Sequence, residues 1–285
     1  MAFAEADWLA VLLRALVYAG TVLAAGAVLF RLSFPALPSA TPELRRQLWL
    51  GAALLILCEP LRYLLFLQQI AGGDLALALS PSMRWIGMQT PLGQAAVVRL
   101  AAVAVLLVAG LRWPALGLAA AGAMIGAYLI EGHTASSDAR ALLAPLLFLH
   151  LLAVHWWIGG LPGLFAATRA APAHELARAV RRFGSLAAWA VAMLVIAGGV
   201  LLGVLTGWRL DLASGYQQAV LLKLGAVAVI LAIAAVNKWR LTPALARDAD
   251  SARAALRTSL IVETGVALLI LLATALAISF PPEAH

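Results

Sequence analysis

Eight long apolar segments, separated by short polar loops, constrain this 285-residue chain more than any other feature of its sequence. About 20 consecutive apolar residues suffice to cross the hydrocarbon of a bilayer as a helix. Hydropathy places the segments at residues 8–30, 48–70, 92–111, 113–130, 142–165, 184–208, 218–240 and 259–280. Charged residues make up only 12% of the chain, whereas a soluble domain carries about a quarter. The sequence therefore predicts an all-α polytopic membrane protein, a single domain over residues 1–285 folded as an eight-helix transmembrane bundle.

The basic residues predict the orientation of this bundle, because cytoplasmic loops are enriched in Lys and Arg. One set of alternate loops carries thirteen of them, the opposite set carries only Arg84, Arg140 and Arg209, and four lie within the segments. Both termini are therefore expected outside, which agrees with an even number of crossings. The first segment is expected to remain as a span, since Glu5 and Asp7 precede it where a cleaved signal peptide carries basic residues.

Several classes of function are disfavoured by the motifs that the sequence lacks. The net charge of +7 is not arranged as a basic stripe interleaved with aromatic residues, so nucleic acid is not an expected partner. The chain has no phosphate-binding glycine loop, HExxH, CxxC or nucleophile elbow, so we expect neither an enzyme nor an ATP-driven pump. The single cysteine, Cys58, excludes a disulfide framework.

The fifth segment holds two histidines, His150 and His155, in its apolar interior, followed by Trp156 and Trp157. Ionisable side chains are costly in lipid and normally face the protein interior. Residues five apart on a regular helix point about 140° apart, so the two imidazoles should not chelate one ion together. Either a second helix completes two separate sites, or one histidine binds a ligand and the other only forms hydrogen bonds. A purely structural role for each histidine is the ordinary alternative.

A carboxylate in the second segment, Glu59 in the sequence CEPLR, is predicted to lie near the middle of the membrane. Pro60 beside it should loosen the helix locally. Glu59 could be a cation ligand or a proton carrier. Equally, it could form a structural ion pair with Arg62 or Arg99.

The outer loops add donor groups that suit copper. Met83 and Met88 lie in the loop after the second segment, and His133 lies in the loop before the fifth. Imidazole binds copper, iron and zinc, and a thioether favours Cu(I). Together with His150 and His155, these residues outline a path from the outside toward the membrane centre. The ordinary alternative for each methionine is packing or contact with lipid.

Two further patterns concern packing and charge. Two series of glycines at four-residue spacing predict sites of close helix contact: Gly199, Gly203 and Gly207 form one, and Gly122 and Gly126 the other. Glu263 begins the last segment on the cytoplasmic side, where capping, an ion pair or assistance to copper release are the candidate roles.

These residues occur in an order that resembles the CopD/PcoD family of bacterial inner-membrane copper-resistance proteins. The matching pieces span nearly the whole chain: TPLG at Thr90–Gly93 with Arg99, GHT with His133, His150 and His155 followed by WWIGGL, RRFGS at Arg181–Ser185, Tyr216 with Lys223, NKWRLTP at Asn237–Pro243, and Glu263. One small departure is Thr134, where the family usually has alanine.

The resemblance implies an inner-membrane protein of copper homeostasis that moves copper ions, as Cu(I) or Cu(II), from periplasm to cytoplasm. It also implies a separate periplasmic carrier of the CopC kind as partner. The metal would arrive near His133, Met83 and Met88. It would then pass to an intramembrane site of His150, His155 and Glu59. Two alternatives are a haem b-binding membrane redox protein, disfavoured because only one segment carries buried histidines, and a non-transporting copper-binding scaffold or sensor.

Overall fold

The computed structural model describes residues 7–132, 134–209, 214–245 and 249–280, and these are almost entirely helical. Within these ranges eleven helices follow one another: α1 (Trp8–Ser33), α2 (Thr41–Ile70), α3 (Leu75–Ala78), α4 (Pro81–Met88), α5 (Pro91–Ala109), α6 (Pro114–Gly126), α7 (Arg140–Ala170), α8 (Ala173–Leu205), α9 (Gly215–Val236), α10 (Thr242–Ala244) and α11 (Ala249–Ala277). Short 3-10 turns occupy Pro38–Ala40 and Ala127–Leu129, and a π-helical turn occupies Asn237–Leu241.

Each apolar segment predicted from hydropathy corresponds to a helix, which confirms the all-α, multi-pass membrane fold. Among the described residues, seven helices are long and apolar enough to cross a membrane, whereas the stretch Pro114–Leu129 that contains α6 is apolar but shorter. Three helices begin well before the hydropathy prediction: α2 at Thr41, α8 at Ala173 and α11 at Ala249. Their first turns are polar and are still helical, because Glu, Gln, Arg and Ala are good helix formers. Eight crossings with both termini outside stay a prediction.

Helix α1 lies at the centre of the bundle and packs against α2, α6, α7 and α11. Of the 18 most apolar consecutive residues of α1, 67% are buried, whereas only 11% are buried in the corresponding part of the span that contains α9. Apolar side chains facing lipid gain little from burial, so exposure of α9 is compatible with a membrane setting.

Close approach of α1 to its neighbours depends on glycines. A Cβ added to Gly26 of α1 would lie 2.4 Å from Cα of Gly159 in α7, and one added to Gly51 of α2 would lie 2.6 Å from the carbonyl oxygen of Gly20. The buried amide of Gln47 in α2 donates from Nε2 to the carbonyl oxygens of Leu23 (2.9 Å) and Gly159 (2.7 Å). Small residues thus bring three backbones together, and one amide joins all three helices.

The glycines predicted as contact sites from their spacing lie elsewhere. No atom lies within 4 Å of a Cβ added to Gly122, Gly126 or Gly199 among the described residues, and Gly203 faces the ring of Trp208. The spacing prediction was therefore wrong. A four-residue spacing identifies a helix face but not whether another helix covers that face.

The region after α2 folds back onto the end of that helix. Tyr63 donates its hydroxyl hydrogen bond to the carbonyl oxygen of Arg84 in α4 at 2.7 Å. The TPLG motif then starts α5: Thr90 accepts a hydrogen bond from the N–H of Gly93 (3.2 Å), and Pro91 occupies the first helical position. Pro there is favoured because that N–H has no intrahelical acceptor.

Candidate functional site

Four charged side chains form a closed set of contacts inside the bundle, which we call the ion-pair ring. Arg99 of α5 donates from Nε to Oε1 of Glu59 in α2, and from Nη1 to Oε1 of Glu131 (2.8 Å). Arg62 of α2 donates from Nη2 to Oε2 of Glu131 (2.9 Å), and its Nη1 lies 3.8 Å from Oε2 of Glu59. Two positive and two negative charges therefore neutralise one another.

The ion-pair ring is almost completely buried, so each of its charges depends on the other members to compensate for lost hydration. The side chains of Glu59 and Arg99 have no exposed surface, and those of Arg62 and Glu131 are 9% and 13% exposed. Burial alone would raise the pKa of the Glu131 carboxyl, but the Arg99 and Arg62 guanidinium groups outweigh burial and hold that pKa below its usual range. A buried charge needs such partners because the desolvation of an unpaired ion costs several kcal/mol, by order of magnitude.

An aromatic ring connects the ion-pair ring to α1. The guanidinium carbon of Arg99 lies 5.0 Å from the ring centroid of Tyr128, a cation–π contact. The hydroxyl of Tyr128 shares a hydrogen bond of 2.9 Å with the hydroxyl of Thr21, and both residues are buried. Thr21 and Tyr128 therefore stand between the charged ring and the histidine on α7.

His155 is buried and has a defined orientation. Its Nδ1 lies 2.7 Å from the carbonyl oxygen of Leu151, and since a carbonyl only accepts, Nδ1 carries the proton and donates it. In the neutral imidazole Nε2 is then an acceptor, and it lies 3.3 Å from Oγ1 of Thr21. An imidazole that donates one N–H to a backbone carbonyl and presents the other nitrogen is the usual arrangement of a metal-binding histidine.

His150 faces another part of the bundle. A Cβ added to Gly198 of α8 would lie 3.2 Å from Cε1 and 3.4 Å from Nδ1 of His150. His155 instead contacts α1. The two rings point to different neighbours, as five-residue spacing predicts.

Met83, Met88 and His133 are the candidate copper ligands predicted for the outer loops. Met83 is partly buried in α4, and Met88 at the end of that helix is 41% exposed. His133 lies outside the described residues. Within the ranges that the structure describes, no three His, Cys, Asp or Glu side chains gather closely enough to hold a metal ion.

Of the two roles considered for Glu59, the structure places it in the ion pair, with both Arg62 and Arg99 as partners. Its carboxylate does not meet the imidazole of His155 directly, because Tyr128 and Thr21 lie between them. Glu263 of α11 accepts a hydrogen bond from Nδ2 of Asn237 and forms no ion pair with any described residue.

Three residues of this site were not identified by sequence reasoning: Thr21, Gln47 and Tyr128. Thr21 and Tyr128 are polar side chains within predicted apolar segments, and Gln47 directly precedes one. Such residues are a signal in themselves, because a buried polar group requires a partner. Glu131 has no distinguishing signal in the sequence beyond its place two residues before His133. Its pairing with two arginines depends on the packing of α2, α5 and α6.

Two family models match successive parts of the chain. Residues 5–143 match the copper resistance protein D-like N-terminal domain, and residues 177–277 match copper resistance protein D. No curated protein and no solved structure is significantly similar to the chain. The ion-pair ring lies within the first match and Glu263 within the second, whereas His150 and His155 lie between them.

The two matches occur in the expected order, together cover most of the 285 residues, and coincide with an all-helical multi-pass architecture. The chain therefore belongs to the copper resistance protein D (CopD) family, membrane proteins of copper resistance.

Proposed function

We propose that this protein carries copper ions across the bacterial inner membrane, from periplasm to cytoplasm, and that it is a transporter and not an enzyme. The observation that carries the proposal is the geometry of His155. A buried imidazole is held by its Nδ1–H on the carbonyl of Leu151, so its Nε2 lone pair is directed to the interior of the bundle. Imidazole nitrogen is a good donor to copper.

The proposed orientation has eight crossings and both termini in the periplasm. It is supported by thirteen basic residues in one set of loops and three in the other. In this orientation α4, with Met83 and Met88, lies on the periplasmic side. The π-helical turn at Asn237–Leu241 lies on the cytoplasmic side.

In the proposed path, a separate CopC-like carrier delivers copper to the outer face near His133, Met83 and Met88. Copper then reaches His150 and His155 in α7. Because these imidazoles face different helices, each would bind the ion in turn with different additional donors. Glu59 could act as a ligand only if its contacts with Arg99 and Arg62 opened, so we assign it primarily to the ion-pair ring.

The driving force requires no nucleotide. A monovalent cation that moves inward gains about 2.3 kcal/mol per 100 mV of membrane potential. Cu(I) moving toward the negative cytoplasm is therefore driven by the potential, in addition to any concentration gradient.

The test is the metal content and the visible spectrum of the purified full-length protein, loaded with Cu(I). The matched series is His155→Ala, His150→Ala and His174→Ala, where His174 is an exposed histidine at the start of α8. We expect stoichiometric copper in the wild type and in His174→Ala, and a loss in His155→Ala and His150→Ala. Copper uptake into vesicles should follow the same order.

Each contrary result would contradict a different part of the proposal. Full copper binding and uptake by both α7 variants would overturn the histidine site. Copper binding without flux would indicate a scaffold or sensor. A Soret band without copper would mean that the histidines serve haem, and the transport proposal would then fall.

A further inference from the structure

Glu263 in α11 is a carboxyl group buried within the bundle, only 2% exposed. Its hydrogen-bond donor is the Nδ2 group of Asn237, the first residue of the π-helical turn that follows α9. The ion-pair ring shows how this protein compensates buried carboxylates: each receives two guanidinium groups. Glu263 receives one neutral amide. This difference is the starting point of the inference.

The basic residues nearest to Glu263 and Asn237 in sequence are exposed or form hydrogen bonds with other groups. Arg257, six residues before Glu263, donates to the carbonyl oxygen of Thr168 (3.5 Å), and Arg253 donates to the same oxygen (3.2 Å). Lys238 and Arg240 of the π-helical turn are exposed. No salt bridge within 4.0 Å joins Glu263 to a cation in the part of the chain that the structure describes.

The other helices that pack against α11 also bring no described charge to Glu263. On α1, Arg14 donates to the carbonyl oxygen of Ala275 (2.9 Å) and Arg31 to that of Pro35 (3.0 Å).

On α7, Arg169 is exposed and His155 is hydrogen-bonded to Leu151 and Thr21. Lys223 of α9 lies fourteen residues from Asn237, about 21 Å along the helix. Helix α10 contains no titratable residue.

An ionised carboxylate without a cation is strongly disfavoured at such a position, because the charge loses its hydration without an electrostatic compensation. A protonated carboxyl is neutral and adds a donor. Oδ1 of Asn237 is buried and has no hydrogen-bond partner among the described residues, so it provides an acceptor for a carboxylic O–H. The pair therefore suits the protonated form of Glu263.

The pair lies beside a stretch with the composition of a membrane interface. The residues that follow Asn237 include Trp239, which is 73% exposed, with Lys238 and Arg240 on either side. Exposed Trp with flanking basic residues is typical of a membrane interface. In the proposed orientation this interface is cytoplasmic. A π-helical turn, which is frequent at functional sites, begins at the same residue.

We propose that Glu263 and Asn237 form a proton-binding site that exchanges one proton with the cytoplasm and couples copper movement to proton movement. Binding converts the Glu263 carboxylate and one proton to the carboxylic acid, with no other reactant. Helix α11 packs against both α1 and α7, which carry Thr21 and His155. A change of charge in α11 would therefore act directly on the helices of the copper site. The coupling rests on the proposed transport function; the proton binding does not.

The experiment is infrared difference spectroscopy of the full-length protein during a pH change, without copper. A carboxylic acid C=O band that changes in intensity with pH is expected in the wild type and in Glu43→Gln, a control at a partly exposed carboxyl of α2. The band should be lost in Glu263→Gln. In Asn237→Ala it should persist at a shifted frequency, because its hydrogen bond is removed. This second variant identifies the band even if Glu263→Gln fails to fold.

Copper flux into proteoliposomes at several pH values tests the coupling. We expect pH-dependent flux in the wild type and a loss of that dependence in Glu263→Gln. No titrating band in the wild type, or a band unchanged in both variants, would overturn the proton site. Flux with an unaltered pH dependence in Glu263→Gln would overturn the coupling while leaving the transport function intact. Absence of flux in the wild type would instead contradict the proposed function.

Discussion

Arg99 and Glu59, forty positions apart in sequence, form an ion pair in which neither side chain has any exposed surface. The same guanidinium contacts Glu131 and lies over the ring of Tyr128. One side chain of α5 therefore joins α2 to the segment that follows α6. Through Tyr128 and Thr21 it is also connected to His155.

Replacing Arg99 with methionine should destabilise the protein strongly, by roughly 3–5 kcal/mol, because Glu59 loses its closest cation while remaining buried. The control is Arg46→Met, whose partner Glu43 is 3.6 Å away at a site where the Arg46 side chain is 80% exposed. It should change little, since exposed ion pairs are screened by water. Unfolding in detergent micelles measures both. Equal effects would contradict the importance of the ring.

Glu131 should make the stability of the protein fall at acidic pH, an effect that we call the acid limb. Its pKa is lowered in the folded protein below the ordinary value of 4.5 by Arg99 and Arg62. A depressed folded-state pKa stabilises the fold at pH values above the unfolded pKa. That stabilisation is lost as the pH falls through the folded value. The unfolding temperature of the wild type should therefore fall below about pH 4.5.

Glu131→Gln tests this assignment, because the amide carries no titratable proton. The variant should be less stable at neutral pH and should show a weaker acid limb. An acid limb of unchanged size would assign the effect to other carboxyl groups.

Gly26→Ala should destabilise the bundle by about 1–3 kcal/mol, the usual cost of overpacking. The new Cβ would meet the backbone of Gly159, which has no flexible side chain to move aside. Gly199→Ala is the matched control: its Cβ would meet no described atom within 4 Å. It should be neutral or slightly stabilising, because Ala favours a helix over Gly. The reverse order of unfolding temperatures would contradict the packing of α1 on α7.

Thr21→Val should strengthen copper binding by up to about tenfold, if His155 is the ligand. The single hydrogen of the Thr21 hydroxyl is donated to the carbonyl oxygen of Tyr18 (2.9 Å) and is at most shared with Nε2 (3.3 Å), so the variant frees Nε2 from a shared hydrogen bond worth at most about 1 kcal/mol. Tyr128→Phe keeps the ring over Arg99 and should have a smaller effect. Competition with a coloured Cu(I) chelator measures both affinities. Weaker binding in Thr21→Val would mean that the hydroxyl assists the metal.

The sequence by itself determined the helical membrane architecture and the family. A long apolar segment in a bilayer forms a helix, because every backbone N–H and C=O group must find its hydrogen-bond partner within the same segment. It also determined that His150 and His155 point in different directions, because this follows from helix geometry alone.

Tertiary structure decided which groups meet. The sequence left Glu59 between two roles, and the packing of α2 against α5 placed Arg99 on it. Glycine spacing suggested contacts at Gly122 and Gly199, whereas the observed contact is between Gly26 and Gly159, because only packing determines which helix face is covered. Likewise, Thr21 and Tyr128 acquire their importance only when α1, α6 and α7 bring them beside His155. Hydropathy and periodicity describe one helix at a time, and hydrogen bonds and ion pairs between helices depend on their mutual arrangement.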